Sequence, residues 1–387
     1  MLLVNRRLVL LGICILLQAC TQIDDFMLGK DNAAKPTPLV EITSKIKLIE
    51  NWSVPIGKPS KASTYLKLKP SVRGNIIYAA NASGMVQAVE KTTGNILWSK
   101  QLSQGVVSGP TVADGYIALG TSKSNVVLLR QSDGSELQQL KVSGDVLSKP
   151  AITKNKVIVK TIDGYLYAFD MKTGEKLWAT EHGSPSLILK ASSSPVIMDK
   201  LALVGFSDGK LDAIDIQSGR VVWQRSIAFA SGASDVERLV DIDADPILRG
   251  DIAYLASYQG YIGALSLTNG QFIWRKPASV YKNMAIDATT LYITDSDDVL
   301  WAFDKQNGQV KWKQLALKAR GLTEPTLLGN RLIVGDRSGY MHVLATQNGE
   351  LISRIQLSGP IDIAPAVAGN SVYVMTANGK LSSLSVS

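Results

Sequence analysis

The chain has 387 residues, of which 45% are hydrophobic and 19% are charged, with 32 glycines and 14 prolines. This composition excludes wholesale disorder, because there are enough apolar side chains for a sizeable core. The net charge of +8 is spread along the chain without a basic run, so we expect no nucleic-acid partner.

The N-terminus has the pattern of a secretory signal. Arg6 and Arg7 precede an apolar run, residues 8–17, that is too short for a membrane-spanning helix. The run ends in Leu-Gln-Ala-Cys, which resembles the bacterial lipobox. We therefore predict a signal peptide over residues 1–19 and an N-acyl diacylglycerol anchor on Cys20. The alternatives are an ordinary signal peptide with a chance cysteine, and twin-arginine export.

Cysteine usage agrees with lipidation. The only cysteine besides Cys20 is Cys14, which lies inside the predicted signal peptide. The mature chain would therefore have neither a disulfide nor a cysteine nucleophile. Residues 20–45 are polar with lysines and prolines, and we predict that they form a flexible tether.

The rest of the chain is built from one repeat. Segments such as DGYLYAFDMKTGEKLW (163–178) and DGKLDAIDIQSGRVVW (208–223) share a template of glycines and a tryptophan at fixed spacing, and eight copies can be aligned. Short β-branched or alternating runs separated by glycine turns predict four antiparallel strands per copy, each with one buried face. The sequence therefore predicts an all-β, eight-bladed β-propeller over residues 46–387.

Some copies depart from the template. Ser124 and Asp298 fill glycine positions, and Gln138 and Ser353 fill tryptophan positions, which we interpret as decayed copies. The last copy ends before its outer strand, and a matching fragment with Trp52 lies near the N-terminus. We predict that this N-terminal strand completes the eighth blade and closes the ring.

The repeat also carries a family resemblance. The Ala-Phe-Asp and Thr-Gly-x-x-x-Trp pattern of residues 168–178 resembles the repeat of quinoprotein (PQQ) dehydrogenases, which also occurs in non-catalytic propellers. Together with the lipobox and the eight blades, the chain resembles the BamB family of outer-membrane assembly lipoproteins.

The resemblance implies a non-enzymatic scaffold of the β-barrel assembly machine (BAM complex), lipid-anchored in the outer membrane and facing the periplasm. Thr21 follows Cys20, in place of the aspartate linked to inner-membrane retention. The implied partner is the POTRA region of BamA, and through it the rest of the complex. Direct binding of nascent outer-membrane proteins is left open.

Two alternatives remain, a PQQ-dependent dehydrogenase-like propeller and a generic cell-envelope binding propeller. The enzyme resemblance implies a quinone with calcium in the central channel and often a vicinal disulfide, but the mature chain has no cysteine pair. His182 and His342 stand apart without metal-ligand spacing. We therefore predict no catalytic, cofactor or metal site.

Two connections between copies are longer than the rest, residues 178–195 and 223–246, and they flank the fourth blade. Extra loop length at adjacent positions indicates a functional surface. The first connection carries an apolar cluster, which could instead point into the disc, and the second is acidic. A calcium loop is disfavoured in the second, because Pro246 and Ile252 stand where an EF-hand needs glycine and glutamate.

The BamB resemblance implies that these two segments, PSLILK and RLVDIDADP, dock onto the POTRA region of BamA. Lysine stands in the arginine position of the first motif and cannot form the same planar, bidentate contact. The predicted partner-binding residues are Leu187, Leu189, Lys190, Arg238, Asp241 and Asp243.

Overall fold

The computed structural model describes residues 34–59, 66–189 and 192–386. The predicted signal peptide, Cys20 and Lys190 lie outside the described residues. Residues 34–37 have no regular secondary structure, and the compact unit that contains the propeller begins at Pro38. Across the described ranges, no helix is both long enough and apolar enough for a membrane span.

Eight sheets of four antiparallel strands confirm the predicted blades. The first four blades comprise β2 to β5 (Ser71–Arg73, Ile76–Ala80, Met85–Glu90, Ile96–Gln101), β6 to β9 (Val106–Ala113, Tyr116–Thr121, Asn125–Arg130, Glu136–Lys141), β10 to β13 (Ala151–Thr153, Lys156–Lys160, Tyr165–Asp170, Lys176–Glu181) and β14 to β17 (Val196–Met198, Leu201–Gly205, Lys210–Asp215, Val221–Ser226).

The last four blades comprise β18 to β21 (Ile247–Arg249, Ile252–Ala256, Gly260–Ser266, Phe272–Ala278), β22 to β25 (Ala285–Ile286, Thr290–Thr294, Leu300–Asp304, Val310–Gln314), β26 to β29 (Thr326–Leu328, Arg331–Gly335, Tyr340–Ala345, Leu351–Gln356) and β30 to β32 (Ala366–Ala368, Ser371–Thr376, Lys380–Val386) with β1 (Leu48–Pro55). The first strand of each blade is the innermost, since these strands contact their counterparts in neighbouring blades.

The N-terminal strand closes the ring as predicted. β1 pairs antiparallel with β32, and Trp52 lies opposite Ser383 in the register. Side chains of the eighth blade such as Tyr373 also pack against Ile77 of the first blade in one buried cluster. Both ends of the propeller therefore meet in a single sheet.

The hydrophobic core is divided among the interfaces between blades, with one buried cluster for each neighbouring pair. Because every blade packs on two neighbours, the second strands, such as β3, and the third strands, such as β4, are buried on both faces. The prediction of one buried face per strand is wrong for these strands. The prediction holds for outer strands such as β5, where exposed and partly buried side chains alternate.

The tryptophan positions make a repeated contact between blades. The indole N–H of Trp98 donates to the carbonyl of Gln131 at 3.3 Å. The Trp98 ring packs so closely on Gly134 that a Cβ at this position would lie only 2.6 Å from the nearest ring atom. The Gln138 amide donates in the same way to Lys172 O at 3.3 Å. The Ser353 hydroxyl donates to Ile46 O at 3.0 Å. Gln138 therefore keeps a hydrogen bond to the next blade, whereas Ser353 bonds the segment before β1. The interpretation of these positions as decayed copies stays a prediction.

The glycine positions require a left-handed backbone, which explains their spacing. Gly164 and Gly174 have φ of 86° and 74°. Ser124 and Asp298 keep this conformation without a glycine, at φ of 52° and 63°. The turn geometry is therefore preserved where the residue type is not.

A segment before β1 lies along the outer strand of the seventh blade. The Lys45 N–H donates to Ile352 O at 2.8 Å, and the Arg354 guanidinium donates to Val40 O at 3.2 Å. Leu39 and Ile42 pack against the cluster between the sixth and seventh blades. Ordered contacts therefore begin before residue 46, inside the predicted tether.

Candidate protein-docking site

The two long connections meet beside the fourth blade, as their positions in the sequence predicted. The first runs from β13 to β14 and the second from β17 to β18. The N–H of Leu189 donates to Asp241 Oδ1 at 3.0 Å, and the N–H of Ser194 donates to Asp245 Oδ1 at 2.6 Å. Two hydrogen bonds thus hold the connections together.

The exposed apolar side chains of this region lie on both connections. Leu187 is 41% exposed, whereas Leu189 is half-buried. Phe229 and Val236 of the second connection are 65% and 59% exposed. Sequence reasoning missed these two residues, although single large apolar residues in the polar stretch AFASGASDVE were a visible signal.

Arg238 lies on the surface, in a turn that is ordered by its own hydrogen bonds. Its guanidinium donates to the carbonyls of Ala233 and Ser234 at 3.2 and 3.3 Å, and lies 3.5 Å from Asp235. The Glu237 carboxylate accepts from the N–H groups of Ala233 and Ser234. Because the side chain of Arg238 is half-exposed, it can still contact a partner.

Asp241 and Asp243 lie at the bottom of the site, with 0% and 1% of their surfaces exposed. The expectation that both carboxylates face a partner is therefore wrong for this structure. Their segment runs between blades, where Ile242 packs into the core between the fourth and fifth blades and Ala244 into the next one. Both faces of the strand-like segment are covered, so alternation does not bring the aspartates to the surface. A role in docking stays a prediction.

The buried aspartates belong to a charged cluster beneath the site. Burial raises the pKa of Asp241 to about 6, and burial together with the Asp241 charge raises that of Asp243 to about 8. Lys160 donates to Gly205 O at 2.5 Å, and its burial lowers its pKa to about 8. Lys67, from the opposite side of the ring, donates to Asp243 O at 2.9 Å. The cluster therefore reaches across the central channel.

His182 anchors the start of the first connection. Nδ1 lies 2.7 Å from Asp212 Oδ2, Nε2 lies 3.1 Å from Asp208 Oδ1, and the ring stacks on Phe206 at 3.7 Å. Burial lowers the pKa of His182, but the hydrogen bonds that its ring donates to the two carboxylates outweigh burial and raise the pKa to about 9. The imidazole is therefore a cation at neutral pH and donates to both aspartates.

No group of three or more His, Cys, Asp or Glu side chains in the described ranges could hold a metal ion. His342 is buried, and its Nε2 lies 3.0 Å from Asp336 Oδ2. Asp336 also forms an ion pair with Arg320 at 2.7 Å, so the contacts of His342 are structural.

The chain is similar to known proteins over nearly its whole length. A family model described as outer membrane protein assembly factor BamB matches residues 51–314 and 316–387. The chain belongs to the BamB family. It is 59% identical over 381 residues to BamB of Legionella pneumophila strain Paris, covering 98% of this chain and 99% of that relative.

One solved structure agrees with membership of the BamB family. The crystal structure of BamB from Moraxella catarrhalis matches with a TM-score of 0.80 at 26% identity, over 88% of this chain and all of that one. A europium-containing methanol dehydrogenase matches with a TM-score of 0.72 at 14% identity, over 87% of this chain and 93% of that one. This second likeness concerns the fold alone.

Proposed function

We propose that this BamB-family protein is a non-enzymatic scaffold lipoprotein of the β-barrel assembly machine. It binds the POTRA region of BamA through the two long connections and so assists the folding and insertion of outer-membrane β-barrel proteins. A diacylglycerol on Cys20 holds it in the outer membrane on the periplasmic side. The observation that carries the proposal is the exposed side chain of Leu187. It lies on one of two long connections that hydrogen-bond to each other, in a chain of the BamB family.

The chemistry of the connections suits a protein partner. Leu187 and Phe229 are exposed on the two connections, and the second connection also carries the half-exposed Arg238. Large apolar side chains and arginine are the residue types from which binding hot spots are built. His182 and Asp241 fix the first connection before any partner arrives. Because these contacts already order part of the connection, they lower the entropic cost of binding.

Capture of purified BamA periplasmic region by the immobilised protein tests this function. Leu187→Glu places a charge in the proposed interface and should reduce capture at least about ten-fold, because a buried unpaired charge costs more than 1.4 kcal/mol. Val310→Glu is the matched control, since Val310 lies on the outer strand of the sixth blade and is 51% exposed, against 41% for Leu187. Undiminished capture by Leu187→Glu would remove this site, and no capture by the wild type would remove the function.

A non-enzymatic role is compatible with the likeness to a methanol dehydrogenase. Proteins with different activities share the β-propeller fold, and a fold alone does not supply a catalytic site. Addition of PQQ and calcium followed by a dye-linked alcohol oxidation assay tests the enzyme alternative directly. Turnover above the level of heat-treated protein would contradict the scaffold role.

A second candidate role is direct binding of unfolded outer-membrane proteins at the outer strands. In the seventh blade the chain's own residues 39–46 cover Leu351 and Ile352, which are buried. The equivalent Val221 and Val222 of the fourth blade are 45% and 56% exposed. An outer edge of this repeat thus accepts an extended segment. A photo-crosslinker at position 222 should capture an unfolded β-barrel protein, and one at position 352 should not.

A further inference from the structure

A cavity of about 240 Å³ lies in the central channel. Its lining residues come from the chain just before or at the start of the inner strands, the same side of the ring from which the long connections emerge. Three lysines and two carboxylates line it, together with apolar side chains such as Ile363: Lys67, Lys69, Lys149, Asp245 and Glu324. The cavity is smaller than most sites for drug-sized ligands.

The three lysines differ in their partners. Lys67 Nζ lies 2.5 Å from Asp245 Oδ1, and Lys69 Nζ lies 3.5 Å from Glu324 Oε1. Within the described part of the chain, Nζ of Lys149 has no hydrogen-bond or ion-pair partner. Lys149 is therefore the lining lysine that no carboxylate of the described residues contacts, although Glu324 and Asp245 line the same cavity.

An unpaired ammonium in a partly enclosed cavity is unfavourable. Burial, followed by the charge of Lys69, lowers the pKa of Lys149 to about 8, so the group is still mainly a cation at neutral pH. An anion against Nζ would offset the cost of burial. The apolar lining around Ile247, Met284 and Ile363 would receive a short hydrocarbon body.

We propose that this cavity is a binding site for a small carboxylate, with Lys149 as its charge partner. The carboxylate belongs either to a free organic acid or to an acidic side chain of a docked protein. Lys149 also donates its backbone N–H to Ser194 Oγ at 3.0 Å, in the first long connection. The site is therefore next to the docking surface, but it does not depend on the proposed function.

Calorimetric titration of the mature wild-type chain with succinate at constant ionic strength tests the site, and succinamide is the uncharged control of similar size. Succinate should bind and succinamide should not. Lys149→Met keeps the chain length and the backbone N–H but removes the charge, and should weaken succinate binding at least about ten-fold. Lys200→Met, at an exposed turn, should leave binding unchanged.

Failure of succinate to bind the wild type, or equal binding of succinate and succinamide, would overturn the proposal even if Lys149→Met does not fold. Equal binding to wild type and Lys149→Met would overturn it as well. The source of the carboxylate follows from a second arm. Competition between saturating succinate and the BamA periplasmic region supports an acidic side chain of the partner, and capture unaffected by succinate supports a free organic acid.

Discussion

The backbone N–H of Leu189 donates a hydrogen bond to Oδ1 of Asp241 at 3.0 Å, and this bond joins the two long connections through residues that are 52 positions apart in sequence. The apolar segment that ends at Leu189 is thereby held by a carboxylate with no exposed surface. Asp241 is therefore placed to position the segment that we propose for docking, without itself reaching the surface.

Removal of this acceptor should loosen the first connection. Asp241→Ala should speed amide hydrogen exchange at Leu189, at a cost of about 1 kcal/mol in local stability, and should weaken capture of the BamA periplasmic region. Asp241→Asn keeps an oxygen acceptor and should retain most of both properties. Weakened capture with unchanged exchange at Leu189 would point to direct contact by Asp241 instead.

Loss of the closing strand should destabilise the whole ring. Deletion of residues 46–56 removes β1 and leaves β32 with an unpaired edge, so we expect a lower melting temperature for the entire propeller. Deletion of residues 34–37, outside the compact unit, is the control. A truncated protein that melts like the full chain would show that closure contributes nothing.

The same substitution should have opposite effects at two tryptophan positions. Gln138→Trp should stabilise by about 1 kcal/mol, because the indole can cover Gly174 as it does elsewhere in the ring. Ser353→Trp should destabilise by about 2 kcal/mol or more, because Ser353 is buried against the chain at Ile46. Urea unfolding measures both, and effects of equal sign would contradict this account of the two positions.

The ionic contacts of His182 should make stability depend on pH. Its folded pKa of about 9 exceeds the unfolded value of 6.5, so its contribution is complete below pH 6.5 and is lost as the pH rises through 9. His182→Gln should cost about 2 kcal/mol at pH 6 and clearly less at pH 9.5. Urea unfolding at the two pH values checks this, and an equal cost at both would exclude the ion pairs as the cause.

The sequence by itself determined the architecture. Turns that need a left-handed residue and a tryptophan that must cover the next blade recur at fixed spacing, and such local requirements are legible in a repeat. The strand missing from the last copy and the fragment around Trp52 likewise predicted closure, and the interval lengths predicted that the two long connections are neighbours.

Only the tertiary structure decided which charged and polar residues face water. Asp241 and Asp243 are buried because neighbouring blades cover both faces of their segment, which alternation along one strand cannot reveal. Gln138 and Ser353 gain their roles from Lys172 and Ile46, residues of other blades or of the distant N-terminal segment. The unpaired charge of Lys149 exists because the ring brings lysines from different blades into one channel with too few carboxylates within reach.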